Sequence, residues 1–390
     1  MRNNNELQSR NTTRGESYGV PLGKRQAKKL AAKQKRARFF WCLVRRTLLV
    51  LFTVILIAFA GVVLVCNLIF NGPSTNARDR LTMSMRESSG MKWCPALFIG
   101  EDTVAEIEKA SHYELPDELS DLSQVQINLN SSLGSGNDEW DQHPSGIRIE
   151  EVNGDTFNAY VMLIRDPSRV YLATSAEKFS TSIPGTRINH QIETEGAVAA
   201  INAGAFYDNG TSSKVVGSVP EGLVISGSKV MWNSGSAPEE GFVGFNQDNI
   251  LIVAQTMTAN KAMEIGIRDG CCFGPVLIMN GEVNEEAYNT NSGLNPRTAI
   301  GQRADGTVIF LCIDGRQVSS LGGTYADLID IMTEYGAVNA CNLDGGSSTV
   351  MLHRDQETGE VSMINSYSLL QEEPRRMPTF YMVRPISEDE

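Results

Sequence analysis

Thr307–Thr349, TVIFLCIDGRQVSSLGGTYADLIDIMTEYGAVNACNLDGGSST, decides how this chain is read. Thr307–Ile313 is a near-continuous apolar run, the pattern of a strand covered on both faces. Tyr325–Tyr335 sets Leu328, Ile331, Met332 and Tyr335 at helical spacing, with Asp327, Asp330 and Glu334 between them. Thr324 is placed to cap this helix and Gly336 to end it. Val338–Leu343 then reads as a second buried strand. A strand–helix–strand unit folds as a crossover whose two strands run the same way. Asp314 and Asp344 therefore leave on one sheet edge, at the carboxyl ends where such folds bind ligands. Arg316 and the turn Gly345-Gly346-Ser347 accompany them.

Upstream, the runs Ile147–Val152, Phe157–Ile164 and Val170–Ala173 read as strands. Asn153-Gly154 is a hairpin signal between the first two, and Asn280-Gly281 looks like another hairpin turn. The apolar strand Ala197–Ile201 breaks into a loop that opens on Asn202, and Pro296-Arg297 puts an arginine at the head of another strand. Each feature alone is ordinary: Asp-Gly and Asn-Gly are routine turn dipeptides, Arg297 would serve a surface ion pair, and Asn202 an Asx turn. Their repetition at strand ends points to a site. The expected class is α+β, a sheet-rich single domain over about residues 146–386 with at least one parallel strand pair.

A second signal is the uncharged run Thr47–Phe70, TLLVLFTVILIAFAGVVLVCNLIF. At helical rise it spans about 36 Å, enough for a hydrocarbon core of about 30 Å, so its partner is a lipid bilayer. Residues 1–46 hold thirteen Lys and Arg against Glu6 and Glu16, a net +11, which leaves −23 of the formal −12 for residues 47–390. This asymmetry predicts a single-pass type II protein in the cell membrane, with the basic arm 1–46 in the cytoplasm and the acidic remainder outside. A cleavable signal peptide is the rival reading, but its apolar region is typically ~7–15 residues. The arm carries neither interleaved aromatics nor a reading motif, so no nucleic acid partner is expected. Residues 71–145 read as a polar stalk with a short helix at Tyr113–Leu122, and residues 387–390 as a solvated acidic tail.

Beyond the membrane run stand Cys94, Cys271, Cys272, Cys312 and Cys341, an odd number without regular spacing and not a disulfide scaffold. Cys312 and Cys341 fall inside expected strands as small buried hydrophobes, while the state of Cys271 and Cys272 stays open. HExxH, CxxC, EF-hand, P-loop and GxSxG spacings are absent from the sequence, which leaves carboxylate and arginine chemistry.

These residues resemble the phosphodiester glycosidase family, named for the N-acetylglucosamine-1-phosphodiester alpha-N-acetylglucosaminidases, in its membrane-anchored bacterial form. The family pattern resembles, in order, Gly146–Val170, Ala200–Phe206, Gly274–Gly281, Arg297–Gly301, Asp314–Arg316 and Gly323–Ser348, with Asn342–Ser347 the most specific part. Ala203 and Ala205 depart from it. The resemblance implies an extracytoplasmic hydrolase that cleaves the sugar C1–O bond of alpha-glycosyl phosphodiesters, on cell-envelope or exopolysaccharide glycan. The leaving phosphate monoester needs little protonation, so the chemistry calls for arginine forks on phosphate and a carboxylate at the sugar. Asp344 is the expected catalytic carboxylate, supported by Asp314. Arg297 and Arg316 are expected on phosphate, Gly345, Gly346 and Ser347 as donors, and Asn202 and Thr324 at the substrate. No cofactor is required, with room for one weakly held divalent cation. Two other readings stay open: a non-catalytic glycan-binding or assembly protein, and a metal-dependent phosphoesterase using Asp314 and Asp344.

Overall fold

A computed structural model describes residues 24–88, 90–111, 119–127, 140, 142–207, 217–234, 241–366 and 373–386. The chain divides into two units, Met1–Cys66 and Asn67–Glu390. The described part of the first is helix α1, which runs over Lys24–Phe70. Within it Lys35–Phe70 is long and apolar enough to cross a membrane. Its few hydroxyls are satisfied inside the helix: Thr47 and Thr53 donate to the carbonyls of Leu43 and Leu49 at 3.1 and 2.8 Å.

The second unit is α+β and rich in sheet. Its seven-stranded sheet runs, in spatial order, Ile147–Asn153, Asn158–Ile164, Val308–Ile313, Arg297–Arg303, Ala337–Leu343, Val276–Met279 and Glu282–Val283. The first two strands form the hairpin expected at Asn153-Gly154, in register from Ile147↔Ile164 to Asn153↔Asn158. Asn280 and Gly281, at φ +57° and +79°, turn the last two, as a tight hairpin of this kind requires.

The strands Val308–Ile313 and Ala337–Leu343 are both antiparallel to Arg297–Arg303, so they run the same way within one sheet. They do not pair with each other, which corrects the expected parallel pair: every ladder among the described residues is antiparallel. The tight turn at Asp305-Gly306 folds Arg297–Arg303 back onto Val308–Ile313 and fills the slot between them. The helix Tyr325–Glu334 then carries the chain over to the far flank.

That helix begins in a capping box. Asp327 N donates to Thr324 Oγ1 at 3.2 Å, and Thr324 N donates to Asp327 Oδ2 at 2.7 Å. Gly336, at φ +76°, follows its end. Leu328, Ile329, Ile331 and Met332 face the sheet and pack with Ala299, Leu311 and Ala340. Burying each large apolar side chain contributes roughly 1.5–3 kcal/mol.

Two five-stranded sheets and the short pair Thr186–Arg187 with Arg376–Met377 complete the unit. One contains Leu223–Ser226, Phe242–Asn246, Leu251–Ala254 and Ile267–Cys272; the other contains Ala199–Asn202, Val170–Thr174, Met351–Arg354 and Thr379–Val383. One apolar cluster joins the three larger sheets, through Ile300 and Phe310, Val243 and Phe245, and Leu172, Ile201 and Tyr381. Cys271 is a buried free thiol in it, as are Cys312 and Cys341 in their strands, and Cys272 is buried beside it. Burial pushes the Cys271, Cys312 and Cys341 thiols well up, so they behave as small hydrophobes.

The stalk expected over residues 71–145 is corrected. Residues Thr75–Arg86, Ala96–Ile99 and Glu101–Ala110 form helices α2, α3 and α4. Ser74 caps α2, its hydroxyl accepting from Ala77 N at 3.2 Å. Phe70 stacks on Phe98 with ring centroids 5.0 Å apart, and Arg86 holds Glu108 at 2.6 Å. Ser84 Oγ donates to the Leu294 carbonyl at 2.9 Å, docking α2 on the sheet domain. A Cβ on Gly293 would lie 2.3 Å from Ser84 N, so glycine there is what admits the helix. The helix expected at Tyr113–Leu122 lies mostly outside the described residues, as does the tail 387–390.

Candidate active site

The carboxyl end of the central strands opens into a cleft of about 560 Å³. Arg297, Arg316, Asp344, Gly345, Gly346 and Ser347 line it, with Glu87, Asn295, Tyr325, Asn342, Arg375 and Phe206 among their neighbours. Six of the nine residues singled out from sequence thus share one cavity. Asn202, Asp314 and Thr324 stand elsewhere.

Asp344 ends the strand Ala337–Leu343, and its backbone is clamped from both sides. Its N–H donates to the Ala203 carbonyl at 3.0 Å, and its carbonyl accepts from Asn202 Nδ2. Asn202 is fully buried, and its Oδ1 accepts from Thr298 Oγ1 at 2.8 Å and from Val350 N at 3.2 Å. Its oxygen is held by two donors and its nitrogen by the Asp344 carbonyl. It braces Asp344 from behind, where substrate contact had been expected.

The two glycines after Asp344 allow a close crossing of chains. A Cβ on Gly345 would lie 2.7 Å from the Pro296 carbonyl, and Gly346 N donates to that carbonyl at 2.8 Å. The Gly346 amide is therefore occupied by the fold and is not the ligand donor expected. Gly346 has φ +60°, and a side chain there would meet the Arg316 guanidinium at 3.2 Å. Ser347 Oγ accepts from Arg375 Nη1 at 3.2 Å, while the Arg375 guanidinium lies 4.8 Å over the Phe206 ring.

Arg297 is 4 % exposed. It donates to the carbonyls of Gly323 and Gly293 at 3.3 and 2.8 Å, lies 4.4 Å over the Tyr325 ring, and meets Glu87 Oε2 at 3.0 Å. Burial opposes its charge, and the Glu87 carboxylate with Tyr325 outweighs that, so its pKa stands above that of an ordinary arginine. Arg316 has φ +58°, a left-handed backbone unusual for a residue with a side chain. Its Nη2 donates to Asn295 Oδ1 at 3.0 Å. Burial pulls its pKa down, with Glu87 and Asp344 opposing that and Arg297 adding to it.

Asp314, 1 % exposed, points away from the cleft. Its carboxylate accepts from Ser366 N at 3.0 and 3.1 Å and from Asn365 Nδ2 at 3.3 Å, tying its loop to the strand pair Met351–Arg354 and Val361–Met363. Burial raises its pKa above the usual carboxylate value despite those donors. Thr324 lines a separate depression with Arg80 and Tyr288, its hydroxyl spent on the helix cap. Among the described residues, no group of three or more His, Cys, Asp or Glu stands at metal-holding spacing.

Glu87, Asn295 and Arg375 escaped the sequence reading. Glu87 lies 208 residues from Asn295 in a segment that looked like a spacer, and no local pattern marks it. Arg375 follows Pro374 in a stretch without periodicity.

Residues 195–384 match the model of the phosphodiester glycosidase family. The chain is 28 % identical over 189 residues to the SPbeta prophage-derived uncharacterized protein YomE of Bacillus subtilis (strain 168), which covers 47 % of this chain and 27 % of that protein. The chain thus spans about a quarter of that curated relative. Its fold is similar to the zebrafish N-acetylglucosamine-1-phosphodiester alpha-N-acetylglucosaminidase catalytic domain, solved auto-inhibited by its pro-peptide. That match has a TM-score of 0.50 at 18 % identity, covering 69 % of this chain and 88 % of the other. A hypothetical protein from Synechocystis matches at TM-score 0.40 and 16 % identity, over 61 % of this chain and 62 % of the other.

Proposed function

We propose that this chain, whose residues 195–384 belong to the phosphodiester glycosidase family, cleaves the sugar C1–O bond of alpha-glycosyl phosphodiesters. In this reading it is held in the membrane by α1, with its second unit outside the cytoplasm acting on cell-envelope or exopolysaccharide glycan. The observation that carries the reading is the convergence of Arg297, Arg316 and Asp344 on one cleft, with Asn295 hydrogen-bonded to Arg316.

The two guanidiniums bind the phosphodiester and stabilise the charge that grows on it as the bond breaks. The electron pair of the C1–O bond leaves with the phosphate, and a new C1–O bond forms to the attacking oxygen. Asp344 is the carboxylate at C1, as nucleophile or as the base that takes the proton of the attacking water. Asn342 Oδ1, buried and without a hydrogen-bond partner among the described residues, offers an acceptor to a sugar hydroxyl. Phe206 and Phe273 supply apolar wall. Asp314 serves the site by fixing the loop that presents Arg316.

The separation of Asp314 from Asp344 weakens the phosphoesterase reading, since the two acids do not share the cleft where they would hold a cation. The test is the detergent-solubilised full chain on an alpha-N-acetylglucosaminyl phosphodiester, with and without chelator. Free sugar and phosphate monoester are expected in both. Binding without sugar release across a panel of such diesters would favour the non-catalytic glycan-binding reading instead.

A further inference from the structure

The juxtamembrane helix α2 ends at a residue that belongs to the cleft. Glu87 is its C-cap, with its N–H bonded back to the Met83 and Met85 carbonyls. Its Oε2 accepts from Arg297 Nη2 at 3.0 Å and from Asn295 Nδ2 at 2.7 Å. Asn295, 1 % exposed, uses its other amide atom to accept from Arg316 Nη2. One carboxylate thus neutralises one arginine directly and, by orienting Asn295, sets the position of the second. Arg316 feels the carboxylates of Glu87 and Asp344, which oppose the lowering of its pKa by burial.

The carboxylate is held firmly. Thr82 is fully buried, Ser84 is seated against Gly293 and Leu294, and Arg86 clasps Glu108. Glu87 keeps 27 % of its side chain exposed, toward the cleft it helps to line.

We propose that Glu87 is a specificity-determining positioning residue, supplied by the juxtamembrane segment, that sets the cleft to accept singly charged phosphodiesters over doubly charged phosphate monoesters. The inference rests on the phosphate site proposed above. At the Asn295 junction Glu87 offsets one of the two guanidinium charges, and Asp344 puts a second carboxylate in the same cleft, so the arginines suit a singly charged diester better than a dianion. A monoester, with a second pKa of about 6, carries close to two charges above neutrality. Glu87 repels that second charge, so the product is held less tightly than the substrate and leaves.

The experiment compares binding of dimethyl phosphate and inorganic phosphate to the full chain in detergent at about pH 8, where phosphate is largely a dianion. Wild type should prefer dimethyl phosphate. Glu87→Gln should shift the ratio toward inorganic phosphate by about ten-fold, the expected direction and scale of removing one nearby charge, and Glu87→Asp should largely restore the wild-type preference. In turnover, Glu87→Gln should show stronger product inhibition. A folded Glu87→Gln protein with the wild-type ratio, or with both anions weakened equally, overturns the proposal and leaves the phosphate site standing. Wild type that binds neither anion overturns the phosphate site itself. Should Glu87→Gln lose its cooperative melt, Arg297→Met decides: it should weaken inorganic phosphate more than dimethyl phosphate, and equal weakening contradicts the proposal.

Discussion

Asp344 and Asp314 look alike in the sequence, each an acid before glycine at a strand end, and the fold gives them opposite surroundings. Asp344 faces the cleft, so Asp344→Asn should leave phosphodiester binding near wild type while turnover falls by ~10²–10⁴-fold, as removal of a positioned acid or base does. Steady-state kinetics with a binding isotherm checks this, and near-normal turnover in a folded variant would remove Asp344 from the chemistry. Asp314 is buried and its pKa is raised, so the folded protein holds its proton more tightly than the unfolded chain does. The stability this contributes is full below the unfolded value of about 3.9 and is lost as pH rises through the folded pKa. Asp314→Asn has no such proton to lose. Its melting temperature should therefore gain on that of wild type from about pH 4 upward, and a constant difference across the series would contradict the burial argument.

At the scale of elements, the strand–helix–strand unit was legible because each part carries a local signature: an apolar run, a helical period, a threonine cap, a terminal glycine. The sheet order was less so. A third strand between the two crossover strands is decided by a hairpin formed earlier in the chain, and no periodicity within the unit reports it. The α2–α4 wall was not legible, since the polar helix α2 docks by close backbone approach at Gly293 and α4 buries only Val104 and Ile107. Asn202 was found for the wrong duty, because a strand-end asparagine reads the same whether its amide meets substrate or the chain behind it. Thr324 is now separable from the cleft. Thr324→Ala should cost about 1 kcal/mol of stability through the lost cap and leave KM and kcat unchanged. A thermal melt beside a kinetic assay tests both halves, and a changed KM would return Thr324 to the site.

For the whole molecule, the type II arrangement proposed above puts the basic arm inside and the sheet-rich unit outside. Protease added to intact cells should digest the second unit and spare residues 1–46, with terminal tags as the readout. A protected C-terminal tag would reverse the orientation. The central claim concerns which bond breaks. Hydrolysis of a glycosyl phosphodiester in water enriched in oxygen-18, followed by phosphorus NMR of the released monoester, reads it directly. Cleavage at C1 predicts phosphate without the heavy isotope, the label having entered the sugar; phosphate carrying oxygen-18 would mean attack at phosphorus and would contradict the account.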